Sequence, residues 1–454
     1  MSPSPTIRLP ARDVEVVGDY DVVVCGGGPA GVTAAIGAAR SGCRTLLVEQ
    51  FGCLGGTATV AMNQKVARFT AYGHSPDIAG GITAELFHRS IAEADGMKWL
   101  RRGAQDVPDR MVEELMIEFE GFKLLLDRMM EEAGVEVFFH TQLADAVVEG
   151  GRIGAAVVTN KSGCFAVRAR RFIDCTGDAD LAFRAGCPTV KGRPEDGRMQ
   201  PVSMLYRVGG VDVARAQDYF YNQDPMMKEF CRKAQERGLL GPWRSSCSGL
   251  WWNENRPGEV VPNFSHMHVD ATDFRALSKA CALGRRQVQE AFRAMKALVP
   301  GFEKSFLIDT AQYLGIRETR RIEALYMMTV DDIKGATIFE DSIGLGSSHT
   351  DVHSPDGPGQ CQKNVFRLPD GKYYSIPYRT LVPKSGPENL AVAGRCHGAT
   401  HGALGSTRFM TQCMIMGEAA GRAAALGIEG DASFAEVPVG ELQSRLERSG
   451  GILR

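Results

Sequence analysis

Short continuous apolar runs at 22–25, 46–48 and 390–393 are the strongest pattern in this chain, and Arg171 to Asp178 reads as a further strand running into a Thr-Gly turn. Runs of this length without alternation predict strands buried on both faces of a parallel sheet. Between the first two lies a stretch of small residues from Pro29 to about 39, which predicts a tightly packed helix. Helical spacing of Phe119, Phe122, Leu125, Leu126 and Met129 predicts a helix over 108–133, and a second is expected over 76–95. Alternating runs from 135 to about 172, broken by glycine at 150–151 and 163, read as a β-meander. Further helices are expected over 211–239, 273–297 and 408–426, with one short amphipathic helix in 430–454.

The pattern changes along the chain. Between about 188 and 388 Trp, Tyr, Pro, Asn and Met become more frequent, and near 389 the first texture returns. The expected fold class is α/β: a Rossmann-like domain of parallel sheet plus β-meander, with an inserted α+β domain that meets the substrate. The expected division is a disordered lead-in at 1–18, a discontinuous nucleotide-binding domain at 19–187 and 389–428, the insertion at 188–388, and a tail at 429–454.

The first strand, helix and second strand carry a glycine fingerprint. Gly26 permits a tight turn, Gly28 lets backbone approach a pyrophosphate, and Gly31 lets the helix pack close to the sheet. The helix beginning at Pro29 and Ala30 points free N–H groups and its positive end at phosphate. Glu49, at the end of the second strand, suits the two ribose hydroxyls and argues against a 2′-phosphate. At this point the nucleotide is FAD or NAD. No second fingerprint follows, since Gly344 and Gly346 lack a preceding strand and a third glycine. The returning strand that ends in Gly394, followed by a small-residue helix, favours FAD. An extended FAD needs a second turn and helix N-terminus at its flavin end.

Composition narrows the setting. The 454 residues are 44% hydrophobic and 23% charged, with net charge −2, and no basic block stands out, so nucleic acid is a poor partner. No apolar run is long enough for a membrane span, and the polar, proline-rich start has no signal-peptide core, so the expected location is cytoplasmic. Twelve scattered cysteines form no CxxC pair, which excludes a CxxC zinc or dithiol site.

Several motifs together resemble the FAD-dependent oxidoreductases of the glutathione-reductase-type FAD fold, distantly similar to fumarate reductase and succinate dehydrogenase flavoproteins. They are Cys25-Gly-Gly-Gly-Pro-Ala-Gly-Val-Thr-Ala-Ala, Leu54-Gly-Gly-Thr, Ile173-Asp-Cys-Thr-Gly-Asp-Ala-Asp-Leu, Val299-Pro-Gly-Phe-Glu, Gly315-Ile-Arg-Glu-Thr-Arg-Arg-Ile, Tyr374-Ser-Ile-Pro-Tyr-Arg and Asn389-Leu-Ala-Val-Ala-Gly-Arg. The resemblance covers about 20–428. It implies that Gly26, Gly28, Pro29, Ala30 and Gly31 hold the pyrophosphate and Glu49 the adenosine ribose. It implies that Gly55, Gly56 and Thr57 line the ribityl and ring region, Leu143 meets adenine, and Thr176 and Gly177 pack near the adenosine half. Gly394, Arg395 and the loop to Ser406 would close over pyrophosphate and flavin.

The catalytic candidates are His397, His401, Arg317, Tyr378, Arg379 and His353, with Arg408 as a further arginine. Arg317, Glu318, Arg320 and Arg321 form either an anion-binding cluster or a structural ion-pair network. On a strand, Arg317, Thr319 and Arg321 would share one face. The stretch from His349 through Asp351 to His353 reads as an acid–base or substrate contact, a metal site or a polar loop. Its spacing matches no structural zinc pattern, so no metal is expected. His397 and His401 directly follow Gly394. Cys53 could attach flavin covalently, but a packed thiol and non-covalent FAD are expected. The expected reaction passes a hydride between a small organic substrate, of CH–OH or CH–CH type, and flavin N5. A flavin-binding electron-relay subunit is the alternative. The substrate, the electron donor or acceptor, the direction and homo-oligomer formation stay open.

Overall fold

The computed structural model describes residues 6–7, 10–11, 13–73, 75–101, 112–247, 249–359 and 366–454. Its central sheet runs Glu136–Phe138, Thr45–Val48, Glu15–Cys25, Gly163–Asp174, Arg152–Asn160, Gln142–Glu149. Leu390–Val392 pairs in parallel with the end of Gly163–Asp174, placing Ala391 opposite Ile173. Five strands are thus parallel, and the antiparallel meander 142–174 extends them. Val22, Val23 and Val24 are fully buried, as the unbroken apolar run requires.

Helices Pro29–Ala39 and Met410–Glu429 pack against each other on this sheet. Their approach depends on small residues. A Cβ on Gly417 would meet Ala30 O at 2.0 Å, and one on Gly421 would meet Ala34 O at 2.1 Å. The Thr33 hydroxyl donates to Met414 O at 2.7 Å, tying the two backbones. Both helices start at the carboxyl ends of the parallel strands. That is where ligands bind in open α/β sheets.

A second core lies in 202–314. It contains the antiparallel sheet Leu250–Trp252, Val260–Pro262, Tyr206–Gly209, Phe306–Thr310 and the helix Phe274–Leu298. The division expected at 188 and 388 does not follow the cores. Ile343, Tyr374, Ile376, Tyr378 and Leu381 pack into the first core, where they meet the small-residue helix and its neighbours. The expected tail also joins that core through Leu442, Leu446 and Leu453. At the other terminus the first strand begins at Glu15, so part of the expected lead-in is strand, paired with Phe165–Val167. Residues 1–5, 8, 9 and 12 lie outside the described residues.

Three helices differ from expectation. The expected 76–95 is Gly81–Glu93. The expected 108–133 is confined to Phe119–Ala133, because Val112–Met116 pairs as a strand with Lys65–Ala67 and Met97–Arg101. Glu118 caps that helix by accepting from Gly121 N at 2.7 Å, and residues 108–111 are outside the described set. The expected 211–239 is broken at Pro225, Met226 and Met227, the two methionines having φ of 66° and 53°. The next helix, Lys228–Glu236, is capped by the Asp224 carboxylate, which accepts from Glu229 N and Phe230 N. Among the described residues, no helix is long and apolar enough to cross a membrane.

Candidate active site

A cavity of about 820 Å³ opens between the strand ends and the second core. One end is backbone. Gly26 takes φ of +100°, and a Cβ on Gly31 would meet Gly26 O at 1.7 Å, so helix and turn touch directly. A Cβ on Gly28 would meet nothing within 4 Å, because that glycine faces the cavity. Helix Pro29–Ala39 has no side-chain cap, which leaves its first N–H groups for an anion. Glu49 is buried. Its carboxylate accepts from Gly27 N at 2.6 Å and Phe51 N at 2.8 Å. Burial raises its pKa against the pull of those two N–H groups. Helix Met410–Glu429 is likewise uncapped, and Phe409, Met410 and Cys413 line the cavity.

The geometry fits a dinucleotide: an open cradle at Gly28, an uncapped helix start beside it, and a buried acid, Glu49, on the cavity wall after the neighbouring strand. Gly26, Gly28, Pro29, Ala30, Glu49, Gly56, Thr57, Leu143, Thr176, Gly177, Gly394 and Arg395 all line the cavity. Arg395 is fixed by Asp178 and by the Thr319 hydroxyl, each at 2.7 Å. Gly31, Gly55 and Ser406 do not line it. Gly31 packs on the turn, and Gly55 turns at φ of +99° against Thr59 and Leu126. Ser406 is buried, bonded to Tyr374 and to Ser348 O. Cys53 lies off the cavity near Thr59, and burial raises its thiol pKa.

The other end is made of side chains from separate segments. Arg317 Nη1 donates to Pro201 O at 2.7 Å and to Ser203 Oγ at 2.8 Å. Arg408 donates to Asp351 O at 2.8 Å and to its carboxylate at 3.2 Å. His353 Nε2 stands 3.4 Å from Asp351 Oδ2, and its backbone N–H donates to Gln200 Oε1 at 3.1 Å. Arg68 Nη2 and the Tyr72 hydroxyl reach His349 Nδ1 at 3.2 and 3.3 Å. Arg68 is buried with φ of +76°, a left-handed backbone unusual for a long side chain. Burial, then the charge of Arg317, lowers the His353 pKa to about 3. Burial works against the Asp351 carboxylate, but His353 and Arg408 outweigh it and hold it well below its usual range.

Of the expected catalytic residues, Arg317 and His353 line the cavity, and His397, His401, Tyr378 and Arg379 do not. His397 is wholly buried, its Nε2 at 2.8 Å from Thr407 Oγ1. His401 Nδ1 meets the Glu318 carboxylate at 2.8 Å, and Arg321 pairs with the same carboxylate. The Tyr378 hydroxyl donates to Phe434 O, and Arg379 pairs with Asp341 at the surface. Proximity to Gly394 in sequence was the wrong guide, since the chain turns into the core after Arg395. The arginine cluster divides. Arg317 faces the cavity, whereas Arg321 joins Glu318 and His401, and Arg320 pairs with Asp180. The expected shared face of Arg317, Thr319 and Arg321 is absent because the strand covers only Arg320–Ile322. The sequence carried no signal for Lys65, Ser203 and Tyr313, which line the cavity, or for Arg68 and Tyr72, which hold His349. Asp178 alone carried a signal, lying inside the Thr176–Gly177 motif.

The model of the family described as FAD dependent oxidoreductase matches residues 21–446. Digeranylgeranylglycerophospholipid reductase 1 of Methanopyrus kandleri is 30% identical over 159 residues, 35% of this chain and 40% of that protein. Dihydrolipoyl dehydrogenase of Trypanosoma brucei brucei is 57% identical over 46 residues, 10% of each chain. The match therefore spans less than half the length of these relatives. A geranylgeranyl bacteriochlorophyll reductase-like protein of Thermoplasma acidophilum superposes with a TM-score of 0.47 at 14% identity, covering 96% of this chain and 84% of that one. The match over nearly the whole length makes this chain a member of the FAD dependent oxidoreductase family.

Proposed function

We propose that this oxidoreductase passes a hydride between a carbon of a small organic acid and N5 of FAD. One observation carries the reading: the fingerprint loop and the cluster of Arg317, His349, Asp351, His353 and Arg408 line the same cavity. FAD, when bound, supplies the two-electron chemistry. The loop from Gly26 to Gly28 and the start of helix Pro29–Ala39 would hold its pyrophosphate, and Glu49 its ribose. Arg317, whose guanidinium is fixed by Pro201 and Ser203, would bind the substrate carboxylate as a planar fork. Trp251, Phe409 and Met410 supply apolar walls that exclude water.

The relatives named as digeranylgeranylglycerophospholipid reductases support a second direction, reduction of the substrate by reduced flavin. Anaerobic mixing of the yellow holoprotein with a panel of small acids tests the reading. Bleaching by an acid, slowed by deuterium on its reacting carbon, is the expected result. A flavin that no acid reduces or reoxidises, and that exchanges electrons only with a partner protein, would replace it with an electron relay.

A further inference from the structure

The helix Phe274–Leu298 covers the second core with one face and turns a basic face outward. Ala280, Gly284, Val288, Ala291 and Met295 belong to the buried face. Arg275, Lys279, Arg285, Arg286, Arg293 and Lys296 are exposed. At 3.6 residues per turn these six cations fall within an arc of about 120° that runs for about 30 Å. Glu290 is the one acid of the helix, and it is engaged, accepting from Gly241 N at 3.1 Å and Trp243 Nε1 at 2.7 Å. Lys296 Nζ donates to Ser305 O at 2.7 Å. None of the other five cations pairs with a carboxylate among the described residues. Most arginines elsewhere do, as in Arg89–Glu132, Arg193–Asp356 and Arg445–Glu429. The arrangement costs stability rather than adding it. Arg275 stands in the first turn, where the helix dipole disfavours a cation, and Arg275 and Lys279 repel as an i,i+4 pair. A face that only kept the chain soluble would mix both signs.

Phe274, 68% exposed, and Leu283, 37% exposed, stand on the two flanks of the arc. Phe306, 57% exposed, adjoins its far end, next to the Ser305 carbonyl that holds Lys296. We propose that this face docks on an anionic lipid surface. Cations spread along a convex helix meet phospholipid headgroups, while the flanking Phe and Leu side chains enter the boundary below them. Duplex nucleic acid would use the cations and leave the apolar flanks in water. Neutral and apolar residues separate the cations in the sequence, so they form no basic block there, and the helix gathers them. Contact of this kind is peripheral and needs no spanning helix, in keeping with the described residues. It does not depend on the hydride-transfer reading.

Co-sedimentation of the flavin-loaded protein with lipid vesicles tests this. Binding is expected on phosphatidylcholine vesicles that contain about one-third phosphatidylglycerol, not on phosphatidylcholine alone, and it should weaken as salt is raised. Arg286→Gln combined with Arg293→Gln should keep its flavin and bind about 25-fold more weakly, about fivefold for each cation removed. Arg445→Gln combined with Arg448→Gln removes two arginines that pair with Glu429 and Glu441, and should change binding by less than about twofold. Phe274→Ser should weaken binding to the anionic vesicles at least about threefold and leave binding to duplex DNA unchanged. No binding to anionic vesicles at low salt, or equal binding by the Arg286 and Arg293 variant, overturns the proposal. Tighter binding to duplex DNA than to the vesicles, with no loss on either in Phe274→Ser, overturns it in favour of a nucleic acid.

Discussion

The two ends of the cavity are built in different ways. The end at the glycine fingerprint is mostly backbone: a glycine turn, two uncapped helix starts and one acid, Glu49, that also pins the turn. The opposite end is mostly side chains. They come from around 68, 201–203, 317, 349–353 and 408, and each is held by a neighbour from a different segment. Backbone recognition is local in sequence and tolerates little change, because the required atoms belong to every residue type except where a Cβ intrudes. Side-chain recognition is assembled by the fold, and it can be altered one group at a time without loss of the cofactor.

The largest expected effect breaks the backbone end. Gly31→Ala places a methyl group at 1.7 Å from Gly26 O, so turn and helix must separate. Flavin released on denaturation should fall about tenfold or more per chain, as expected when the phosphate turn is displaced. Near-normal flavin content would show that the turn does not hold the cofactor. The next effect breaks the side-chain end alone. Arg317→Ala should keep its flavin yet reduce it about 100-fold more slowly with a saturating acid. Arg317→Lys should recover little of that rate, since lysine lacks the planar fork. Equal losses of flavin and rate would merge the two ends into one unit.

A third test uses acid. Burial lowers the imidazoles of His266, His353 and His397 to about 2, 3 and 3. Each folded value lies below the ordinary one, so the unfolded chain binds protons that the folded chain refuses. Their contribution is complete above pH 6.5 and is lost as pH falls from there toward 3. The cost is up to about 1.4 kcal/mol per pH unit for each histidine. The melting temperature should therefore drop between pH 7 and 5, and His397→Asn should make that dependence shallower. An unchanged slope in that variant would mean that His397 is already protonated or exposed. The smallest effect is expected at Arg379, which pairs with Asp341 at the surface. Arg379→Ala should cost at most about 1 kcal/mol and leave flavin reduction untouched. A large loss of rate would return this arginine to the site.

The same contrast decides what the sequence made legible. Gly26, Gly28, Glu49 and the returning strand at Leu390–Val392 were readable because a phosphate turn needs its residues adjacent, and a buried strand needs an unbroken apolar run. Of the twelve expected cofactor residues that line the cavity, Gly26, Gly28, Pro29, Ala30 and Glu49 follow from that local logic and the others from the family resemblance, while Gly31 and Gly55 miss the lining because they shape the loops from behind. His397 and His401 illustrate the limit. Both sit within a few residues of Gly394, yet the chain buries one against Thr407 and the other against Glu318. Arg68 had no signal at all, because what matters is its guanidinium on His349, 281 positions away. Charge-dense stretches were readable as chemistry but not as roles. Within Arg317 to Arg321 one arginine reaches the cavity and the others serve ion pairs.

The central claim is that an anionic group sits on the Arg317 end beside a flavin held by the backbone end. Titrating the flavin spectrum of the anaerobic holoprotein with a small carboxylate and with its neutral amide tests it most directly. A saturable shift with the carboxylate, at least about tenfold weaker binding of the amide, and loss of that preference in Arg317→Ala are expected. Equal binding of acid and amide, or an unchanged preference in Arg317→Ala, would contradict it.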